Sequence, residues 1–176
     1  MSIVVLHSGG MDSTVCLYKA HASGAEVVSL GVDYGQRLSV EMLFAQKQCD
    51  RIRVHRDVLQ VRWQKPLREI PTGRDVDVMK RSTSTAFLPG RNAVFLSLAC
   101  AHAAGVGASE VHIGLNSVDY SGYPDCTPEF LDSFREMMGV AYPKGPSIVA
   151  PLQNLSKPDI ADLAASLGIA EHDTWS

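Results

Sequence analysis

Ser8-Gly9-Gly10-Met11-Asp12-Ser13 places hydroxyls, two glycines and a carboxylate where an apolar run gives way to a helical pattern. Those residue types in that place suit a phosphate. The first turn of a helix has N–H groups without intrahelical partners and a partial positive charge, so an anion is stabilised there. Gly9 and Gly10 remove β-carbons that would hold the backbone away from the anion, and they permit dihedrals closed to other residues. Ser8, Ser13 and Thr14 add hydroxyl donors, with Met11 inside the same loop. Asp12 is the odd member, because a carboxylate repels phosphate unless a cation stands between them. Magnesium is the expected cation, and helix N-capping is the alternative. The loop is neither G-x-x-x-x-G-K-[ST] nor G-x-G-x-x-G, so it is not a Walker loop or a dinucleotide fingerprint.

Such a loop needs a strand before it and a helix after it. Ile3–Leu6 is a short β-branched run that reads as a buried parallel strand. Val15, Leu17, Tyr18 and Ala20 then recur at helical spacing, with Gly24 as the stop. Val27–Val32 predicts a second strand, and Val40, Leu43, Phe44 and Gln48 a second helix. Val54–Val58 predicts a third strand. Residues 62–90 have no clean period and read as an irregular loop insertion, of the kind that serves as a lid or binding loop; a short helix is expected around Trp63–Ile70. Helices are predicted over Asn92–Ala104, Phe130–Met138 and Ser156–Leu167, and a strand over Val111–Leu115. Asn92 and Ser156 are the expected N-caps. The alternation implies an α/β fold, a three-layer doubly wound parallel sheet with helices on both faces, in one domain spanning 1–176. Ligands in such sheets sit beyond the carboxyl ends of the strands, at the switch point. The loops at Ser8, Asp33 and Asn116 should therefore converge on one cleft.

The 176 residues are 45% hydrophobic and 20% charged with a net charge of −3, close to a soluble globular average. No overall basic field favours nucleic acid. The loose basic run of Arg51, Arg53, Arg56, Arg62, Lys65, Arg68, Arg74, Lys80 and Arg81 is interleaved with acids and reads as a solvated surface. Cys16, Cys49, Cys100 and Cys126 are too far apart for a zinc knuckle or redox pair, and Cys16 and Cys100 read as core residues. The N-terminus lacks a basic region and cleavage site, and no apolar stretch has the length of a membrane span. A cytoplasmic location, with neither membrane nor nucleic acid as partner, is the expectation.

Ser-Gly-Gly-x-Asp-Ser after an N-terminal strand resembles the signature of the PP-loop ATP pyrophosphatases, with their adenine nucleotide alpha-hydrolase-like fold. Further segments are similar to the 7-cyano-7-deazaguanine synthase family of queuosine precursor biosynthesis: Asp33-Tyr34-Gly35-Gln36-Arg37, Pro89-Gly90-Arg91-Asn92, Gly114-Leu115-Asn116, Asp119 to Cys126, Pro151-Leu152, Ser156-Lys157 and Thr174-Trp175-Ser176. The resemblance covers essentially the whole chain. It implies an ATP-dependent ligase that joins 7-carboxy-7-deazaguanine and ammonia through adenylated intermediates, with ATP and Mg²⁺ required and a homodimeric assembly.

By the same resemblance, Ser8–Thr14, Asp33 and Tyr34 would hold ATP, and Asp12 would hold the metal. The catalytic set would be Asp12, acting through the metal, with Arg91 and Lys157 as the cations that stabilise negative charge on the transferring phosphoryl group. Lys157 at the start of a helix is electrostatically misplaced, which calls for a nearby anion. Gln36, Arg37, Asn92, Asn116, Asp119, Tyr120, Ser121, Tyr123 and Asp125 would line the substrate pocket. Asp119 or Asp125 would accept from the N–H and amino edge of the deazaguanine, and Tyr120 and Tyr123 would stack on it. For Asp125, capping of the helix near Pro128 is the alternative. The family continues beyond Thr-Trp-Ser into zinc-binding cysteines, which this sequence does not include. Leu38 stands where the family usually carries histidine, and Thr127 where it carries a basic residue. A related adenylating enzyme with a tRNA or protein acceptor, and a non-catalytic ATP-binding module, remain alternatives.

Overall fold

The computed structural model describes residues 1–34, 40–62, 90–116 and 123–174. The strands are β1 (Ser2–Leu6), β2 (Glu26–Asp33), β3 (His55–Gln60), β4 (Glu110–His112) and β5 (Ser147–Val149). The helices are α1 (Met11–Ala22), α2 (Val40–Ile52), α3 (Arg91–Val106), α4 (Pro128–Ala141) and α5 (Lys157–Ser166), with 3₁₀ turns at Pro124–Cys126 and Glu171–Asp173. All strand pairs are parallel, in the order β3-β2-β1-β4-β5. The chain builds outward from β1 to β3 and then returns to lay β4 on the other side of β1. The switch point therefore lies between β1 and β4, as a doubly wound sheet requires.

Alternation along β1 divides the core. Val4 joins Leu30, Leu96, Ala99, Cys100, Val111, Leu131 and Phe134 on the face covered by α3 and α4. Ile3 and Val5 join Val15, Cys16, Leu17, Cys49, Ile160 and Ala164 on the face covered by α1, α2 and α5. A strand with both faces covered must be apolar throughout, which is why Ile3–Leu6 reads as an uninterrupted run. All four cysteines are buried and none forms a disulfide; Cys16 and Cys100 lie in the core as expected.

The helices begin where the expected signals lie, with two corrections. Ser156 caps α5 in a capping box with Asp159. Asn92 is not a cap: Gly90, at φ 72°, holds that position and Asn92 lies inside the first turn of α3. Asp125 does not cap the helix at Pro128. Thr127 does, its Oγ1 accepting from Phe130 N–H at 3.2 Å. The strand expected at Val111–Leu115 is the shorter Glu110–His112, and β5 adds a strand at the sheet edge. The irregular insertion lies almost wholly outside the described residues.

Candidate active site

Gly9 shapes the loop after β1. Its φ is +100°, and a β-carbon there would stand 2.4 Å from Glu41 O and 3.0 Å from Ala45 N. The missing side chain thus makes room for the backbone of α2 more than for an anion. Gly10 has ordinary extended dihedrals, φ −76° and ψ 162°, as the N-cap of α1. Replacing Gly9 with alanine combines left-handed strain and a clash with backbone. Gly9→Ala is expected to cost about 3 kcal/mol of stability in urea unfolding. A loss below about 0.5 kcal/mol would mean that α2 can back away without penalty.

The hydroxyls of the loop divide into two groups. Ser8 is exposed, and its Oγ lies 3.1 Å from Ser13 Oγ, which also donates to Gly10 O at 3.0 Å. Thr14 is fully buried, and its Oγ1 shares its one proton between Gly10 O at 2.8 Å and Gln48 Oε1 at 3.1 Å. Thr14 therefore braces the loop from within rather than offering its hydroxyl outward. Met11 packs partly into the core. The first intrahelical bond is made by Thr14 N–H, so helix geometry leaves the N–H groups of Met11, Asp12 and Ser13 without a partner in the helix.

Three chain segments meet at Asp12. Its Oδ2 accepts from Lys157 Nζ at 2.7 Å and from Asn116 Nδ2 at 3.0 Å. Lys157 comes from the first turn of α5, and Asn116 from the fully buried end of the loop after β4. The anion demanded by a lysine at a helix N-terminus is this carboxylate. Oδ1 of Asp12 is buried and has no hydrogen-bond partner among the described residues. Gly114 brings the β4 loop onto this turn: a β-carbon there would lie 3.0 Å from both Asp12 C and Ser13 N.

A second cluster forms beside the first. Tyr34, at the end of β2, packs its ring on Phe95 at 5.4 Å between centroids. Burial raises the Tyr34 phenol above its ordinary value, and the nearby Arg91 guanidinium offsets part of that rise. Burial likewise raises the Glu41 carboxyl, again partly offset by Arg91. Arg91 thus lies among the end of β2, the first turn of α2 and the first turn of α3. Asp33 lies nearby, with Arg62 Nη1 3.5 Å from its Oδ2. Glu41 carried no signal beyond a polar position in a helical pattern, and only the sheet order brings it to the phosphate loop.

Two expected pocket residues have other partners. Asp125 is 7% exposed and its Oδ2 accepts from Asn92 N–H at 2.9 Å, capping α3 from outside the helix. Asn92 Nδ2 donates to Asp125 O at 2.9 Å and contacts Cys126 Sγ at 3.2 Å. Tyr123 packs against the α3–α4 core. Gln36, Arg37, Asp119, Tyr120 and Ser121 lie outside the described residues, as does Leu38.

A family model described as queuosine biosynthesis protein QueC matches residues 2–176. This chain belongs to that family. Within the QueC family, a 7-cyano-7-deazaguanine synthase 2 from Rhodopseudomonas palustris (strain HaA2) is 59% identical over 174 residues, 99% of this chain and 83% of that protein. A 7-cyano-7-deazaguanine synthase from Myxococcus xanthus (strain DK1622) is 43% identical over 179 residues, covering 94% and 78%. Among solved structures, the U34-tRNA thiolase NcsA from Methanococcus maripaludis, with its [4Fe-4S] cluster, aligns with a TM-score of 0.64 at 15% identity, over 100% of this chain and 59% of that one. The NH3-dependent NAD synthetase from Campylobacter jejuni gives 0.57 at 14% identity, over 98% and 66%. At such identities these two speak for the fold alone, a parallel α/β sheet with helices on both faces. Family membership makes the chain an enzyme, and no helix among the described residues is long and apolar enough to cross a membrane.

Proposed function

We propose that this chain, an enzyme of queuosine precursor synthesis by its family, is an ATP-dependent ligase that makes 7-cyano-7-deazaguanine from 7-carboxy-7-deazaguanine and ammonia. The observation that carries the reading is the meeting of Asp12, Asn116 and Lys157 at the N-terminus of α1. The substrate carboxylate attacks the α-phosphorus of ATP, pyrophosphate leaves, and an acyl-adenylate results. Ammonia adds at the acyl carbon and AMP departs, giving the amide. The amide oxygen then attacks the α-phosphorus of a second ATP, a second pyrophosphate leaves, and loss of AMP and the two nitrogen protons leaves the nitrile.

The chain's own groups suit the departing pyrophosphate. N–H groups of the first turn of α1 can receive its oxygens, and Lys157 supplies a cation once it parts from Asp12. Arg91, close to Tyr34 and Glu41, can approach from the other side. Magnesium typically keeps several waters and takes one or two carboxylates beside the phosphates it accompanies. Asp12 fits as one such ligand through Oδ1, since Oδ2 is held by Lys157 and Asn116. The metal would supply charge neutralisation at the phosphates. Zinc finds no such fit here: the described residues hold no cluster of three His, Cys, Asp or Glu suited to a metal.

With Asp125 engaged at α3, Asp119 is the better candidate for the base edge of the substrate, with Tyr120 and Tyr123 beside it, and Ser121, Gln36 and Arg37 around the pocket. Ammonia as nitrogen donor and a homodimer belong to this reading on the family's account, and a single domain over 1–176 and a cytoplasmic location on the sequence's. Pyrophosphate release from Mg-ATP tests it, measured with and without the carboxylate substrate and ammonia and followed by mass analysis of the product. Release that depends on substrate and yields the nitrile is expected. Substrate-independent release, or binding without release, would return the tRNA or protein acceptor and the non-catalytic module to first place.

A further inference from the structure

Beneath the phosphate loop runs a chain of buried polar side chains that the proposed reaction does not itself consume. Gln48, on the inner face of α2, is 3% exposed. Its amide can be oriented in only one way. The Nε2 end faces two backbone carbonyls, Gly9 O at 3.2 Å and Asp173 O at 2.5 Å, and carbonyls only accept. Oε1 therefore accepts from His7 Nε2 at 2.8 Å and Thr14 Oγ1 at 3.1 Å. That makes His7 the Nε2–H tautomer, with Nδ1 left to accept from Ser29 Oγ at 2.9 Å. Ser29 Oγ in turn accepts from Arg56 Nη1 at 2.8 Å, and the same nitrogen donates to His7 O at 3.1 Å.

The effect on the loop follows from peptide geometry. In a trans peptide the C=O and the following N–H point in opposite directions. Arg56 holds His7 O, Gln48 holds Gly9 O, and Ser13 and Thr14 hold Gly10 O. Three carbonyls are thus turned toward side chains of the protein, and the N–H groups of Ser8, Gly10 and Met11 are turned the other way. Backbone N–H groups turned away from such braced carbonyls are free to receive an anion at the helix start. Among the described residues the Ser8 and Gly10 N–H groups find hydroxyl acceptors at 3.3 and 3.4 Å, long contacts that a phosphate oxygen would displace. The Gly9–Gly10 peptide is the member with most freedom, since both flanking residues lack side chains.

We propose that Gln48 is a positioning residue of the nucleotide site, holding the Gly9 carbonyl inward so that the Gly10 N–H faces the phosphate. The role rests on the ATP reading above. His7 and Thr14 keep the Gln48 amide from rotating, and Asp173 O anchors its other end to the turn at Glu171–Asp173. That turn is itself tied to α2 by Arg51 Nη1 on Asp173 Oδ2 at 2.6 Å. The phosphate loop, α2 and this C-terminal turn are therefore joined through Gln48 and Arg51.

Gln48→Met keeps the length of the side chain and removes the donor. In steady-state kinetics on the full chain, KM for ATP is expected to rise about tenfold, the scale of one directed hydrogen bond, with kcat and KM for the carboxylate substrate close to wild type. A merely structural role would reduce the active fraction and leave both Michaelis constants unmoved, and that result overturns the proposal. Should the variant not fold, the wild type decides by nitrogen-15 NMR with a non-hydrolysable ATP analogue. The Gln48 side-chain amide signals are expected to shift, while those of Gln46, bonded to Asp50 on the exposed face of α2 at 2.8 Å, stay in place. Shifts at Met11–Thr14 without one at the Gln48 amide overturn the positioning role alone. No shift anywhere in the loop overturns the ATP reading and the role with it.

Discussion

Asp12→Asn is expected to lower kcat/KM by about a thousandfold, the loss typical of removing one preorganised electrostatic group, while the protein stays folded. The substitution keeps the shape and one oxygen but removes the charge on which Lys157 and Asn116 converge at 2.7 and 3.0 Å. Lys157 is then left at the N-terminus of α5, where a cation is disfavoured, with no counter-charge to keep it at the loop before the phosphates arrive. The site also loses its candidate carboxylate oxygen for magnesium. Stability should change by less than about 1 kcal/mol, because the Lys157 side chain is 48% exposed and partly exposed ion pairs contribute little. Kinetics against Mg-ATP concentration, with a thermal melt as the check on folding, distinguish the cases. A variant turning over at the wild-type rate would remove Asp12 from the site. A variant that is inactive because it is unfolded would make Asp12 a structural residue instead.

The sequence revealed the phosphate loop because its signal is local: a strand, a turn of small residues and a helix lie in succession. It revealed Lys157 through a misfit, a cation where helix electrostatics want an anion, and Asp12 answers that misfit from α1, on the far side of the switch point. Gln48 and Arg56 were not legible in the same way. Gln48 sits at a helical position where glutamine is ordinary, and only the packing of α2 against Gly9 gives it partners in the loop. Arg56 read as part of a solvated basic run. It is half-buried across Gly31, where a β-carbon would stand 2.4 Å from its Nη2. Burial lowers the Arg56 guanidinium from its ordinary value, and the neighbouring Cys49 thiol partly counters this. The cap readings of Asn92 and Asp125 failed for a related reason. Each is a favoured cap residue, yet their bonds run to one another across the chain, and no spacing rule within a single helix shows that.

Acid should weaken this protein over a pH range set by His7. Burial, with the Arg56 charge adding to it, lowers the His7 imidazole from 6.5 to about 3, so the ring stays neutral in the folded state. The unfolded chain takes up a proton near its ordinary value while the native state does not. The stability associated with His7 is therefore complete above 6.5, declines as pH falls below it, and is fully lost once pH passes below about 3. At roughly 1.4 kcal/mol per unit, the loss reaches about 3 kcal/mol by about pH 4.5. Asp173 and Asp159 do not account for it. The Ala170 N–H holds the first below the usual carboxylate range and the Ser156 hydroxyl holds the second, so both lose their contribution only in stronger acid. Glu41, raised by burial, acts in the opposite sense and favours the native state as pH falls. Urea unfolding of the wild type and of His7→Phe at about pH 7 and about pH 4.5 isolates the histidine: the wild type should lose about 3 kcal/mol more than the variant. Equal losses would mean that His7 takes up its proton within the folded protein. The Nε2–H tautomer on which the Gln48 chain depends would then not be the form present in mild acid.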